Sequence, residues 1–130
     1  MSSDGITVKV CTLNLVIPAL YDTILMKTTN AGSGDGYGFY YTGAGTVAFF
    51  AQNYARVATA SLNPLAENTL VGTYDGSRIR ITVNGAEGTP FVTSGIITQN
   101  TAPLELGRGR DNLYNINGIL RWIQVFDLAI

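Results

Sequence analysis

The sequence predicts an all-β domain, an antiparallel sandwich or barrel, on three observations. Thr, Val, Ile, Tyr and Phe, which suit a pleated and half-buried surface, recur along the whole chain. Several short runs alternate apolar and polar residues with a period of two. Gly, Asn and Asp separate those runs as turn signals, and Gly alone is 15 of 130 residues, above the usual ~7%. No segment has helical periodicity. Residues 54–64 are Ala-rich but hold Thr59, Ser61 and Pro64.

The elements follow in order. In residues 6–16, Ile6, Val8, Val10 and Thr12 share one face, while Thr7, Lys9 and Cys11 take the other. Residues 23–27 form the next run. A Gly-rich loop over 29–38 leads into strands at 37–42 and 46–51, joined at Gly43-Ala44-Gly45 as a hairpin. Residues 56–60 are a short candidate strand. The clearest signal is 68–74, Asp75-Gly76, 77–83, Asn84-Gly85, because these dipeptides tolerate the positive φ of tight turns. Ile79, Ile81 and Val83 there alternate with Arg78, Arg80 and Thr82, one face apolar and one wet. Shorter strands are expected at 91–93, 96–98 and 104–106. Residues 116–128 close the chain, with Asn117-Gly118 as a kink or bulge.

The length suits one domain over residues 1–130. Eight basic and nine acidic residues give a net charge of -1, with no basic cluster for a phosphate backbone, so nucleic acid is excluded as a partner. Charged residues are 13%, about half the usual ~25%, which points to a surface buried against a partner. The apolar runs fall far short of the ~20 residues that span a bilayer, so no membrane partner is expected. The first residues carry no secretory signal pattern. Cys11 has no partner for a disulfide and reads as a small buried hydrophobe.

Five stretches in order resemble the laminin-G-like branch of the concanavalin A-like lectin/glucanase superfamily. They are ITVKV, YDTILMK (residues 21–27), GYGFYYTGAGTVAFF (36–50), TLVGTYDGSRIRITVNG (69–85) and APLELGRGRDNLYNINGILRWIQVF (102–126). The fourth is the closest, through Thr73, Tyr74, Asp75, Gly76, Asn84 and Gly85. The resemblance implies an all-β, concanavalin A-like jelly-roll sandwich. Asn68-Thr69 stands where the family usually has a Trp-His pair. The sequence also starts almost directly at the family's second element, which leaves one sheet edge bare or covered by a neighbouring subunit.

Catalysis has little support. Glycoside hydrolysis needs two carboxylates across a bond, and Glu67, Glu87 and Glu105 stand alone without an adjacent Asp pair. The sequence has no His, which removes Ser-His and Cys-His chemistry and His metal sites. Asp75, Gly76, Asn84 and Gly85 read as structural turn residues. The best ligand constellation is Tyr114 beside Asp111, Asn112 and Asn115, an aromatic platform with amide and carboxylate partners for a sugar. Tyr40, Tyr41 and Tyr54 are further aromatics, the first two on opposite faces of a strand. No cofactor is required. Asp111 and Asn112, with Asp22 or Asp35 from another loop, are weak calcium candidates. Trp122 is expected in the core, with an intersubunit contact as the alternative.

These features favour a non-catalytic structural or decoration protein of a large assembly, a phage virion, that forms a homo-oligomer and contacts other virion proteins. It would be found in the virion, or in the cytoplasm before assembly. The alternative is a carbohydrate-binding, lectin-like module with a glycan as its partner.

Overall fold

A computed structural model describes residues 2–3, 5–29, 35–98, 100–108 and 115–127. Among them the strands are β1 (Ser2–Ser3), β2 (Ile6–Asn14), β3 (Thr23–Lys27), β4 (Tyr37–Gly43), β5 (Thr46–Ala51), β6 (Asn53–Ser61) and β7 (Asn68–Tyr74). They continue with β8 (Arg78–Val83), β9 (Ala86–Glu87), β10 (Phe91–Val92), β11 (Ile97–Thr98), β12 (Glu105–Leu106) and β13 (Gly118–Phe126). One sheet runs β10-β8-β7-β2-β13, with β9 also on β8, and the other runs β12-β3-β4-β5-β6. Every pairing is antiparallel. The two sheets face each other as an all-β sandwich of the jelly-roll, concanavalin A-like type. β1 and β11 form a small separate ladder.

The period of two explains the core. Ile6, Val8 and Val10 of β2, Leu70 and Tyr74 of β7, and Ile79, Ile81 and Val83 of β8 point inward. They meet Leu25, Phe39, Tyr41, Val47, Phe49, Ala58 and Ala60 of the five-stranded sheet. Burying each large apolar side chain stabilises the fold by about 1.5–3 kcal/mol. Gly72 lets the sheets interlock: a Cβ there would lie 2.4 Å from the Phe49 ring. The Tyr41 hydroxyl donates to Asn14 Oδ1 at 2.9 Å, which satisfies a phenol inside the sandwich.

The β7–β8 turn has Gly76 at φ 91°, and Asp75 Oδ1 accepts from the Ser77 and Arg78 N–H groups at 2.9 and 2.8 Å. The Ser77 N–H above all holds the Asp75 carboxyl below the usual carboxylate range. Between β8 and β9, Asn84 (φ 52°) and Gly85 (φ 86°) make a two-residue turn. Asn84 Oδ1 accepts from the Thr69 N–H at 2.9 Å and ties this turn back to β7.

Two elements differ from expectation. The short strand read at 56–60 extends to nine residues as β6. Trp122 lies outside the core and is 43% exposed. The cause is a bulge: Leu120 pairs with Thr12 while Trp122 pairs with Cys11, so Arg121 is the extra residue. Leu120 stays on the inner face and Trp122 turns to the outer one. Cys11, opposite it, is buried on that outer face, with its thiol 3.3 Å from Glu67 Oε1.

Candidate functional site: an aromatic platform on the five-stranded sheet

The outer face of the five-stranded sheet carries a second apolar layer. Opposite the core-facing Phe39, Tyr41, Val47 and Phe49, the alternation turns Tyr40, Ala48 and Phe50 outward. Met26 of β3 and Val57 and Tyr54 of β6 complete the cluster. Phe50 and Tyr54 meet edge to face at 4.7 Å, and Tyr40 lies 6.0 Å from each of them. Gly38 makes room, because a Cβ there would fall 2.7 Å from the Met26 Cβ. The Tyr40 hydroxyl donates to the Tyr54 carbonyl at 3.1 Å. Burial, reinforced by the neighbouring Tyr21 and Tyr54, pushes the Tyr40 phenol up to about 12.

Tyr21 caps this layer and is its accessible member, half exposed at 50%. Its ring stands 5.9 Å from Tyr40 at a 46° tilt. Its backbone sits at φ 70°, a left-handed conformation that costs a bulky residue of order 1–3 kcal/mol. The surrounding bonds hold it there. The Tyr21 N–H donates to the Tyr41 carbonyl at 2.7 Å, and the Tyr41 N–H to the Asp22 carbonyl at 2.8 Å. Asp22 Oδ2 accepts from the Ala19 N–H at 2.9 Å, and the Thr23 hydroxyl donates to the Tyr21 carbonyl at 3.0 Å. The result is an aromatic ring on a rigid loop, oriented before any ligand arrives.

Hydroxyl side chains flank the layer. Thr46 of β5, and Thr59 and Ser61 of β6 fall on the outer side of the alternation. At the β12 margin, Glu105 Oε2 accepts from Arg108 Nε at 2.7 Å.

Asn115 forms a bridge with Thr23, two residues from Tyr21. The Gly107 N–H donates to the Ile24 carbonyl and the Ile116 N–H to the Gly107 carbonyl, at 2.7 and 2.9 Å. The loop singled out in the sequence is therefore rooted beside the platform. Asp111, Asn112 and Tyr114 lie outside the described residues, and with them both calcium candidates. Among the described residues no group of three or more His, Cys, Asp or Glu is placed to hold a metal ion. Asp35 is occupied by the fold. Burial raises its carboxyl, but bonds from Thr29 and Thr28 outweigh that and hold it below the usual range. Tyr40 and Tyr41 do point to opposite faces, and Tyr54 joins the outer layer. Sequence reasoning missed Tyr21, since the left-handed turn beneath it has no Gly, Asn or Pro signal.

The sequence matches the family model of the concanavalin A-like lectin/glucanases superfamily over residues 17–130, and the chain belongs to that superfamily. No characterised protein matches it in sequence. Its fold is similar to a carbohydrate-binding module of a Ruminococcus gnavus sialidase bound to α2,3-sialyllactose. That likeness has a TM-score of 0.76 and 16% identity over 99% of this chain and 78% of the other. It is also similar to domain 4 of an extracellular arabinanase from Geobacillus stearothermophilus in complex with arabinotriose. There the TM-score is 0.71, with 12% identity over 100% of this chain and 64% of the other. A Bacteroides ovatus protein shares the fold at TM-score 0.78 and 16% identity, and this chain spans all of itself but 39% of that protein.

These likenesses correct the expectation of a virion structural or capsid decoration protein: the solved domains that share this architecture include a sialidase's carbohydrate-binding module and an arabinanase domain in complex with arabinotriose. The physical basis of that expectation also changes. A low surface charge was read as burial against neighbours, but one outer face is covered by the chain's own aromatic layer.

Proposed function

We propose that this chain is a non-catalytic carbohydrate-binding domain whose glycan lies on the outer face of the five-stranded sheet. The observation that carries the reading is Tyr21, a half-exposed ring held in a costly backbone conformation over a buried aromatic layer. Strain persists where the surroundings over-determine it, and such sites cluster at ligand clamps. Titration calorimetry against a panel of soluble oligosaccharides tests it. At least one sugar binds the wild type, and Tyr21→Ala weakens that binding about tenfold or more, the equivalent of ~1.4 kcal/mol. Unchanged affinity in the variant, with the fold intact by circular dichroism, removes the platform from the site.

A second copy of the chain is the other partner we propose. β13 ends its sheet, and no strand covers its free edge among the described residues. It runs nine residues with one charge, Arg121, which Glu67 neutralises at 2.9 Å. Natural edge strands are usually short, charged or covered. Ile119, Trp122 and Val125 are each more than 40% exposed along it. Antiparallel pairing with the same strand of a second copy would join the sheets around a two-fold axis. Light scattering should give twice the 13.9 kDa chain mass, and Val125→Lys should return it to one. A single-chain mass at all concentrations defeats this reading and leaves glycan binding untouched.

A further inference from the structure

We infer that the platform is selective for neutral glycans, sugars without carboxylate, sulfate or phosphate groups. The inference rests on the glycan-binding reading and narrows it. An anionic sugar brought onto an apolar surface loses water, and it binds well only if a cation with free hydrogen-bond donors meets it. The cations on or beside the five-stranded sheet are already engaged among the described residues. Lys27 Nζ donates to the Asn100 carbonyl, Asn100 Oδ1 and the Ala102 carbonyl at 2.9, 3.0 and 2.6 Å. Arg56 donates to Gln52 Oε1 and Thr93 Oγ1 at 2.7 and 2.9 Å, clasping the loop that follows β10. Arg108 Nε donates to Glu105 Oε2, a nearly buried carboxylate, at 2.7 Å.

The face offers rings and neutral hydroxyls instead. Tyr21 presents an apolar surface matching the C–H face of a pyranose or furanose. Thr46, Thr59 and Ser61 flank one end of the layer with groups that both donate and accept hydrogen bonds, as sugar hydroxyls do. The remaining described cations, Lys9, Arg78, Arg80 and Arg121, belong to the other sheet or its edge. The two complexes of similar fold divide along this line, since sialyllactose carries a carboxylate and arabinotriose carries none. The platform of this chain has the chemistry of the second kind.

The test uses the intact chain and two probes, arabinotriose and α2,3-sialyllactose, with neutral gluco-, galacto-, manno- and xylo-oligosaccharides as further neutral arms. At least one neutral sugar should bind at least about tenfold more tightly than sialyllactose. Its affinity should stay the same from low salt to about 0.5 M sodium chloride, because no ion pair forms for salt to screen. It should also be lost in Tyr21→Ala and largely kept in Tyr21→Phe. Tighter binding of sialyllactose that falls as salt rises overturns the neutral inference while the platform reading stands. Binding of no sugar at all, or binding indifferent to Tyr21→Ala, overturns the platform reading and the inference with it.

Discussion

On β8, Arg78, Arg80 and Thr82 point away from the core, whereas the corresponding outward positions of β5 are Thr46, Ala48 and Phe50. Both strands alternate with the same period and both bury their inner residues. Their outer faces meet different surroundings. The β8 side is solvated, and its Arg80 pairs with Glu87 at 2.9 Å with both side chains about half exposed. The β5 side is covered, so that Phe50 on an outer face is fully buried beneath Tyr40, Tyr54 and Met26. A sandwich needs one apolar core to fold. A second apolar layer on one outer face, with a strained tyrosine at its edge, goes beyond that need.

If the two faces differ in this way, equivalent truncations should differ in cost. Phe50→Ala should destabilise by about 3–5 kcal/mol in denaturant melts, as in a true core. A loss below about 1 kcal/mol, the centre of the range for ordinary point changes, would reduce the layer to a decorated surface.

The alkaline limb of stability sharpens the same contrast. A phenol whose folded pKa is raised stabilises the native state fully below the unfolded value of about 10. That contribution is lost as pH climbs through the folded value of about 12 for Tyr40. Melts between these pH values should show the decline and phenolate absorbance should show late-titrating tyrosines; Tyr40→Phe should lessen both, leaving the contribution of Tyr37 and Tyr41, whose phenols burial also raises. On the solvated face, Arg80→Ala should cost no more than about 0.5 kcal/mol, and less in high salt. A larger cost there would mean that the charged face is also structural.

The hairpin from Asn68 to Val83 and the turn at Asn84-Gly85 were legible because alternation, Gly and Asn all point the same way there. The opposite orientations of Tyr40 and Tyr41 followed from the period alone. The length of β6 did not, since Ala58 and Ala60 are poor strand formers chosen for a tight fit. A Cβ on Gly88 would lie 2.7 Å from the Ala60 Cβ. Trp122 was misplaced because a bulge reverses the alternation without leaving a compositional mark. The proposed platform was legible only in part. Tyr40, Tyr54 and Asn115 could be read as aromatic and amide candidates, but Tyr21 depends on a backbone angle that tertiary hydrogen bonds impose.

Cys11 gives the chain a built-in clock. It sits under the outer surface where β13 crosses β2, directly opposite Trp122, and burial, then the Glu67 hydrogen bond, push its thiol up from the ordinary value. A covered and protonated thiol is inert towards alkylating reagents. It becomes reactive when β13 peels away or the whole chain opens, so its labelling rate at neutral pH measures how often that edge unzips. A ligand on the distant platform would slow the labelling only if the event that exposes Cys11 also takes apart the five-stranded sheet. One thiol can thus distinguish local fraying of a single strand from cooperative unfolding of the whole sandwich.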